Sequence, residues 1–262
     1  MKQEMMTILV QEEVAPRIFK LTLQGKLVEE METPGQFLHI KVPRADLLLR
    51  RPISINAIDQ ATETCQIIYR IEGDGTKAFS ELTPGMQLDV LGPLGNGFDL
   101  SKIKSNDVVY LIGGGIGVPP LYELSRQLKE IGAIPVHFFG FASQSVMYDK
   151  ELFEALGVCH WATDDGSFGM KGHVGMLLDQ VVTETPETPA AVFACGNKGM
   201  LQTVDERYRN HPNAQLSHEA RMACGMGACY GCVCHVVGDE TGTKSVKVCD
   251  EGPVFPAGKV VI

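Results

Sequence analysis

The first hundred residues alternate between short apolar, β-rich runs and Pro/Gly pairs. The strand-length runs are residues 7–11, 18–23, 37–42 and 65–71. The Pro/Gly pairs are residues 34–35, 84–85 and 92–93. Runs rich in β-branched and aromatic residues, bounded by such turn signals, are typical of strands. The pattern predicts a small antiparallel β-barrel over residues 1–100.

A different pattern begins near residue 101. An apolar strand at 108–112 enters a glycine-rich turn, and further apolar runs follow at 136–139 and 190–194, separated by helix-length stretches. After the turn, apolar residues recur at helical spacing. They are Leu121, Leu124, Leu128 and Ile131. Alternating strands and helices predict a parallel sheet with crossover helices, an α/β domain over residues 101–216.

The last stretch, residues 217–262, is rich in cysteine and glycine and is too short to build a core unaided. We expect a metal centre to hold it together. The whole chain has 262 residues, which at roughly 150 residues per domain leaves room for about two domains and a small appendage.

Net charge and cysteine content indicate which classes of function fit this chain. The net charge of -9 argues against nucleic-acid binding, which depends on basic side chains that neutralise phosphates. The chain has no apolar run of the roughly 20 residues that a membrane span needs, and its start lacks signal-peptide order, so we expect a cytoplasmic protein. Thiols stay reduced in the cytoplasm, so a cluster among the eight cysteines indicates metal or redox chemistry.

Four cysteines have the spacing of a plant-type 2Fe-2S site. Cys224, Cys229 and Cys232 form C-x4-C-x2-C, and Cys249 follows further along the chain. The alternative is a structural zinc site, but those usually combine two closely spaced cysteine pairs, and here there is one. Cys234 would share a strand face with Cys232 and remains an alternative ligand, although Cys249 is favoured.

Two glycine-containing turns are candidate nucleotide sites. The first follows strand 108–112 and opens a helix, where backbone N–H groups and the helix dipole can hold a pyrophosphate. It comprises Gly113, Gly114, Gly115, Ile116 and Gly117. Pro120 occupies the place of the third glycine of G-x-G-x-x-G, so a tight turn without a ligand is the alternative. The second turn, Cys195-Gly196-Asn197, also follows a strand, and both turns are expected to face one cleft at the carboxyl ends of the strands.

The order of barrel, glycine turn and Cys-Gly turn resembles the ferredoxin-NADP reductase superfamily. Arg51, Pro52, Ile53 and Ser54 look like its flavin-binding element, in which the arginine meets the FAD pyrophosphate and the serine lies near the flavin N5. An arginine suits phosphate because it offers a rigid, charged fork of donors. The chain departs from the superfamily at Ile53, where many members have an aromatic residue that stacks on the flavin, and at Asn197, where a proline is usual.

The whole chain resembles more closely the electron-transfer subunits of bacterial, NAD-linked dihydroorotate dehydrogenase B. The matching blocks are residues 49–55, 68–71, 92–98, 113–122, 162–167 and 219–225. The resemblance implies FAD contacts from Arg51, Pro52, Ile53, Ser54, Ile68, Tyr69, Arg70, Gly75 and Thr76. It implies NAD contacts from Gly113, Gly114, Gly115, Ile116, Gly117, Cys195 and Gly196, with Cys195 near the nicotinamide. The implied cluster ligands are Cys224, Cys229, Cys232 and Cys249.

The resemblance also implies a function and a partner. A second subunit with FMN would oxidise dihydroorotate, and electrons would pass through the 2Fe-2S cluster and FAD to NAD+ in pyrimidine (UMP) biosynthesis, in a complex with two copies of each chain. FAD suits the relay because it exchanges both hydrides and single electrons. The alternatives are a reductase subunit serving a hydrogenase, a sulfite reductase or ferredoxin, and a non-catalytic redox sensor or zinc-stapled binding module.

The cluster loop is the expected docking surface for that partner. It carries small and apolar residues, a mixture that suits a protein interface around a redox centre. These residues are Met222, Ala223, Met226, Ala228 and Tyr230. The alternative is that these side chains fold back onto the chain's own domains.

Overall fold

The computed structural model describes residues 1–184 and 188–262, and its first part is a closed six-stranded barrel. The strands are β1 (Lys2–Ala15), β2 (Ile18–Gln24), β3 (Phe37–Ile40), β4 (Arg51–Asp59), β5 (Thr64–Arg70) and β6 (Gln87–Leu94). They pair antiparallel in the order β1-β2-β5-β4-β3-β6. Helix α1 (Asp74–Ser80) follows β5 and buries Ala78 and Phe79 in the barrel core. The predicted antiparallel barrel is confirmed.

The Gly92-Pro93 pair lies inside β6, so the expectation that it separates two strands was wrong. On one side, the pairing of β6 with β1 ends at Gly92. On the other side, the pairing with β3 passes from Leu91 to Leu94 through a register shift. Proline lacks a backbone N–H and is tolerated at such an irregularity, which explains why the strand continues through this pair.

The second part of the molecule is a seven-stranded sheet flanked by helices. Its strands are β7 (Val108–Gly114), β8 (Ile134–Phe141), β9 (Val158–Thr163), β10 (Met170–Lys171), β11 (Ala191–Cys195), β12 (Ala214–Ser217) and β15 (Val254–Pro256). The helices are α2 (Pro120–Ile131), α3 (Lys150–Glu154), α4 (Val174–Glu184) and α5 (Lys198–Tyr208). The order is β10-β9-β8-β7-β11-β12-β15, and all neighbours are parallel except β12 and β15. The predicted parallel-sheet domain is confirmed.

Helix α2 follows the helical spacing that its sequence predicts. Leu121, Leu124 and Leu128 are fully buried, whereas Ile131 is 37% exposed. Gly132 ends the helix in the left-handed region at φ 87°, which a residue without a side chain adopts at low cost. The apolar stripe therefore faces the core along the helix until its last turn.

The C-terminal segment does not form a core of its own. Its strands β13 (Val233–His235) and β14 (Ser245–Lys247) pair only with each other. Its apolar side chains share one buried cluster with residues of β3 and β6, including Phe37 and Leu94. The chain then returns through β15 to the edge of the large sheet. The segment is thus packed against both other parts of the molecule.

Nowhere along residues 1–184 and 188–262 does a helix have the length and apolar character needed to cross a membrane.

Candidate cofactor and metal sites

The start of β4 and the start of α1 form a cradle around the Arg51 guanidinium. Arg51 donates from Nη1 to the Leu49 carbonyl at 2.7 Å. The guanidinium lies directly against Gly75, because a Cβ on that glycine would be 2.5 Å from Nε and 2.8 Å from Nη2 of Arg51. A cationic fork beside a backbone without a side chain fits an anionic group such as a pyrophosphate.

The next three residues of β4 are half-buried and alternate between the two faces of the strand. Ile53 packs against the apolar core of the barrel. Because strand side chains alternate, Pro52 and Ser54 lie on the outer face. The side chain at Ile53, where an aromatic was expected in the superfamily, therefore belongs to the barrel core.

Strand β5 presents less side-chain surface than the resemblance implies. Ile68 and Tyr69 are 3% and 1% exposed, and only Arg70 is exposed to solvent, where it pairs with Glu72. The Tyr69 ring stacks on Phe19 with ring centroids 5.9 Å apart. Any contact of Ile68 or Tyr69 with a cofactor would thus come from the backbone.

Thr76 is engaged at the beginning of α1. Its hydroxyl accepts hydrogen bonds from the Glu72 N–H at 2.9 Å and the Gly73 N–H at 3.3 Å. It also donates to the Gly73 carbonyl at 3.1 Å. The side chain of Thr76 therefore shapes the turn beside Gly75.

The two candidate nucleotide turns meet at the carboxyl edge of the sheet. Residues 113–117 run from the end of β7 through a 3-10 turn into α2. A Cβ on Gly117 would lie 2.4 Å from the carbonyl oxygen of Cys195 and 2.5 Å from the Cα of Gly196. A glycine at 117 is what permits this approach, and it brings both turns into one cleft as the sequence predicts.

Asn197 has a structural role that accounts for its departure from the superfamily pattern. Its side-chain oxygen accepts a hydrogen bond from the Met200 N–H at 3.0 Å and caps α5. Asparagine is a favoured residue at that position. The neighbouring Cys195 is half-buried, and burial raises the pKa of its thiol to about 12, against a lowering contribution from Ser217.

Tyr148 is a residue of this cleft that the sequence does not reveal. Its hydroxyl donates a hydrogen bond of 2.7 Å to the carbonyl oxygen of Gly115. Burial raises the pKa of Tyr148 well above its ordinary value, with further contributions from nearby Asp149 and Cys195 and an opposing one from Arg70. Tyr148 therefore fixes the glycine turn at the point where it adjoins β5.

The four predicted cluster cysteines lie together in two pairs. Cys229 is the cysteine whose thiol acts on the pKa of Cys224, and Cys232 is the one that acts most on the pKa of Cys249. The Cys249 N–H also donates to Sγ of Cys232 at 3.4 Å. Across residues 1–184 and 188–262, no group of three His, Cys, Asp or Glu side chains is placed to hold a single metal ion. Two thiol pairs suit the two irons of a 2Fe-2S cluster, each of which takes two cysteine ligands.

Backbone N–H groups of the loop point at these sulfurs. The Gly227 N–H donates to Sγ of Cys249 at 3.2 Å, and the Met226 N–H to Sγ of Cys224 at 3.5 Å. Burial acts to raise the pKa of Cys224, but N–H groups including that of Met226 outweigh it and lower the pKa to about 6. Burial raises the pKa of Cys249 to about 12. N–H donors aimed at thiolate positions fit an iron–sulfur cluster.

Cys234 lies two residues after Cys232, beyond the C-x4-C-x2-C loop. It lies on β13, where it is half-buried, and burial raises the pKa of its thiol. Its side chain packs against the apolar cluster shared with the barrel. Cys234 thus has a packing role in the segment.

His39 is a second residue that the sequence does not reveal. It lies on β3, is 0% exposed, and contacts the cysteine loop at Gly225. Burial and the Arg50 charge lower the pKa of His39, against the raising effect of the carbonyls of Arg50 and Cys224.

The barrel places the three candidate sites in a row. Strand β5 contacts the glycine turn at residues 115–117. Strand β3 contacts the cysteine loop, and β4 lies between β5 and β3. Neighbouring strands are ~4.8 Å apart, so the row from β5 to β3 spans only roughly 10 Å.

The cysteine segment matches a known protein family. The model of the family described as "Iron-sulfur cluster binding domain of dihydroorotate dehydrogenase B" matches residues 219–261. The matched range contains all four cysteines of the two pairs.

Two curated relatives match over the full length. A protein of Enterococcus faecalis strain V583 is 59% identical over 261 residues, covering 100% of this chain and 99% of the relative. One of Geobacillus thermodenitrificans is 49% identical over 261 residues, covering 99% of each. Both are named dihydroorotate dehydrogenase B (NAD(+)), electron transfer subunit. The chain belongs to this family. Membership makes it an electron-transferring oxidoreductase subunit with FAD and a 2Fe-2S cluster as cofactors.

Solved structures agree on the fold. A chain of the NADH-dependent reduced ferredoxin-NADP oxidoreductase structure superposes with a TM-score of 0.84 at 25% identity, covering 98% of this chain and 90% of that one. The flavohemoglobin of Malassezia yamatoensis gives a TM-score of 0.63 at 19% identity, covering 82% and 58%. The family thus has the fold of ferredoxin-NADP reductases with a C-terminal iron–sulfur segment.

Proposed function

We propose that this chain carries electrons from the FMN of a dihydroorotate-oxidising partner subunit, through its 2Fe-2S cluster and FAD, to NAD+ in pyrimidine (UMP) biosynthesis. The names of the full-length relatives support the pyrimidine assignment. The observation that carries the relay is the order β5-β4-β3 in the barrel, with the nucleotide turn against β5 and the cysteine loop against β3. A flavin on β4 would lie between the two.

The FAD site in this proposal is built on the start of β4. Arg51 binds the pyrophosphate beside Gly75 and Thr76, and the outward residues Pro52 and Ser54 face the ring system. The supporting contacts from Ile53, Ile68 and Tyr69 come mainly from their backbones, whereas Arg70 has an exposed side chain to contribute. FAD supplies the conversion between hydride and single-electron transfer that this relay needs.

The nucleotide site is the cleft where the turn at residues 113–117 meets Cys195-Gly196. The turn at residues 113–117 faces the phosphates, because the positive end of the α2 dipole attracts anions there. Pro119 and Pro120 have no N–H of their own to donate. Tyr148 holds the turn in place through Gly115. The half-buried Cys195, with the raised pKa of its thiol, borders the nicotinamide as an uncharged side chain.

The cluster site uses Cys224 with Cys229 for one iron and Cys232 with Cys249 for the other. The pairing of the thiols supports this division. The three functional regions are then residues 1–100 for FAD, 101–216 for NAD and 217–262 for the cluster. Strand β15 of the last region returns to the nucleotide-binding sheet.

The cluster loop is the docking surface for the FMN subunit in this proposal. Met226 and Tyr230 are 46% and 65% exposed, and both alanines of the loop, Ala223 and Ala228, are exposed. Met222 is an exception, because it is buried against the chain's own barrel. We propose two copies of each chain in the complex, located in the cytoplasm.

The test is to co-express this chain with the FMN subunit and to assay dihydroorotate-dependent NAD+ reduction. The complex should reduce NAD+, whereas the isolated chain should oxidise NADH with artificial acceptors and leave dihydroorotate unchanged. A complex carrying Cys224→Ser is the matched control and should lose NAD+ reduction. If the partner reduces NAD+ equally well alone, or no complex forms on a sizing column, the pyrimidine assignment fails. The chain would then be assigned as a reductase subunit serving ferredoxin or another acceptor.

A further inference from the structure

We propose that His39 is a positioning residue for the iron–sulfur cluster: its imidazole donates a hydrogen bond to sulfur at the Cys224 end of the bound cluster and raises the reduction potential there. The proposal rests on the cluster assignment above. It adds a residue from the barrel, 185 positions before Cys224 (224 − 39), to the surroundings of the cluster.

Strand β3 directs His39 out of the barrel and toward the cysteine segment. Leu38 and Ile40 lie in the barrel core. Phe37, two residues before His39 and on the same face, lies in the buried cluster that also contains Cys232 and Cys249. His39 therefore shares the face of the barrel against which the cysteine segment packs.

The ring makes direct contact with the loop that follows Cys224. A Cβ on Gly225 would lie only 2.4 Å from Nδ1 of His39 and 3.1 Å from Cε1. Gly225 also has φ at +71°, so a larger residue would be strained there as well. The loop therefore passes over the imidazole edge where Nδ1 is.

Among the residues that the structure describes, neither buried ring nitrogen of His39 makes a well-aligned hydrogen bond, although the carbonyls of Arg50 and Cys224 are near enough to raise the pKa of the ring. In either tautomer a neutral imidazole has one N–H donor to satisfy, and leaving it unpaired in a buried site is costly. The side chain is 0% exposed, so solvent does not supply the acceptor. The bound cluster brings acceptor sulfurs into the loop that the ring already touches.

The position of His39 also links the cluster to the flavin strand. On one side His39 is opposite Pro52 of β4, and on the other it is opposite Leu91 of β6. An imidazole here touches the cysteine loop and lies beside the outward face of the flavin element. A donor to cluster sulfur stabilises the reduced, more negative state, so it raises the potential.

The first test compares His39→Phe with His39→Asn in the holoprotein. Phenylalanine keeps a flat ring but removes the donor, whereas asparagine keeps an N–H. In an EPR-monitored redox titration, His39→Phe should lower the equilibrium constant for reduction of the cluster about tenfold. For a one-electron couple this lowers the reduction potential by ~59 mV. His39→Asn should recover most of that loss.

Phe37→Leu is the matched control, because it alters packing on the same face without changing a donor. The reduction potential of the cluster in Phe37→Leu should equal that in the parent protein. An unchanged potential in His39→Phe with full cluster content, or an equal shift in Phe37→Leu, would overturn the proposal.

A second measurement has its main readout in the parent protein. The parent protein labelled with 15N-histidine should show nitrogen coupling to the reduced cluster in pulsed EPR, and the coupling should vanish in His39→Asn. An intact cluster without histidine coupling contradicts the role of His39. The absence of any cluster signal would instead contradict the cluster assignment, so the two failures are distinguishable.

Discussion

Adjacent arginines at the start of β4 have different roles. Arg50 is fixed within the barrel, where it donates to the carbonyls of His39 and Asp89 and pairs with the Asp89 carboxylate at 2.9 Å. Arg51 instead lies against Gly75 at the edge of the barrel. Their contacts assign a structural role to the first and leave the second for a ligand.

Replacing Arg51 tests this assignment. Arg51→Ala should weaken FAD binding roughly 10- to 100-fold, since a hydrogen bond to a charged group contributes ~1.5–3 kcal/mol. FAD content and affinity are measured by absorbance and fluorescence titration. Arg44→Ala is the control, because Arg44 is exposed and pairs with nearby Asp46. Equal FAD content in Arg51→Ala and the parent would remove Arg51 from the site.

Serine substitutions separate ligands from the neighbouring thiol. Cys224→Ser, Cys229→Ser, Cys232→Ser and Cys249→Ser should each reduce iron and sulfide content strongly, because a hydroxyl is a poor replacement for thiolate on iron. Cys234→Ser should keep the cluster. The variants are compared by iron and acid-labile sulfide analysis. Loss of the cluster in Cys234→Ser would mean that Cys234 is a ligand in place of one of the four.

Sequence spacing identifies residues whose partners are close in the chain. The C-x4-C-x2-C pattern predicts the cysteine loop from a few residues, but Arg51 is recognisable only through the family resemblance. Tyr148 and His39 escape sequence reasoning because their contacts, with Gly115 and Gly225, are made across long separations. A tyrosine or histidine in an apolar run gives no signal of such a contact.

At the scale of elements, the nucleotide turn is stabilised from outside its own β-α unit. Tyr148 precedes α3 and donates to Gly115, which lies between β7 and α2. The turn therefore depends on a contact between two separate connections of the sheet.

Tyr148→Phe should raise KM for NADH roughly two- to tenfold with kcat nearly unchanged. The lost hydrogen bond contributes ~0.5–1.5 kcal/mol and leaves the Gly115 carbonyl without its donor. Steady-state kinetics with an artificial acceptor measure the effect, and Tyr122→Phe on α2 is the control. Unaltered KM at full FAD content would contradict this role.

The connection after β8 predicts the choice of nucleotide. The stretch from the end of β8 to Met147 contains no arginine or lysine to meet a 2'-phosphate. NADH should therefore be preferred over NADPH in kcat/KM. Comparable values for the two nucleotides, measured with the same acceptor, would contradict the inference.

The sequence predicts a helix or strand correctly where its apolar residues recur with a single helical or strand period. The apolar stripe of α2 and the alternating runs of β2 and β5 are visible in the sequence. Strand β4 was not among the predicted runs, because it opens with Arg51-Pro52, and β15 is only three residues long. Strand β15 depends on pairing with β12, about forty residues earlier, which local sequence does not encode.

At the scale of the whole molecule, ionic contacts fix the barrel relative to the sheet. The buried Glu123 of α2 accepts a hydrogen bond from the Ile58 N–H of β4 at 3.0 Å. Lys20 of β2 pairs with Asp149, which precedes α3. These contacts link the elements that carry the proposed flavin and nucleotide sites, so the fold sets the spacing between those elements.

The proposed relay requires electrons from NADH to reach the cysteine segment within this one chain. Anaerobic titration of the purified chain with NADH, followed by absorbance and EPR, tests that directly. The flavin absorbance should bleach and the EPR signal of a reduced 2Fe-2S cluster should appear in the same titration, with the signal absent in Cys232→Ser. Stoichiometric zinc without sulfide, or a flavin that NADH reduces while an intact cluster stays oxidised in the presence of excess NADH, would contradict the relay.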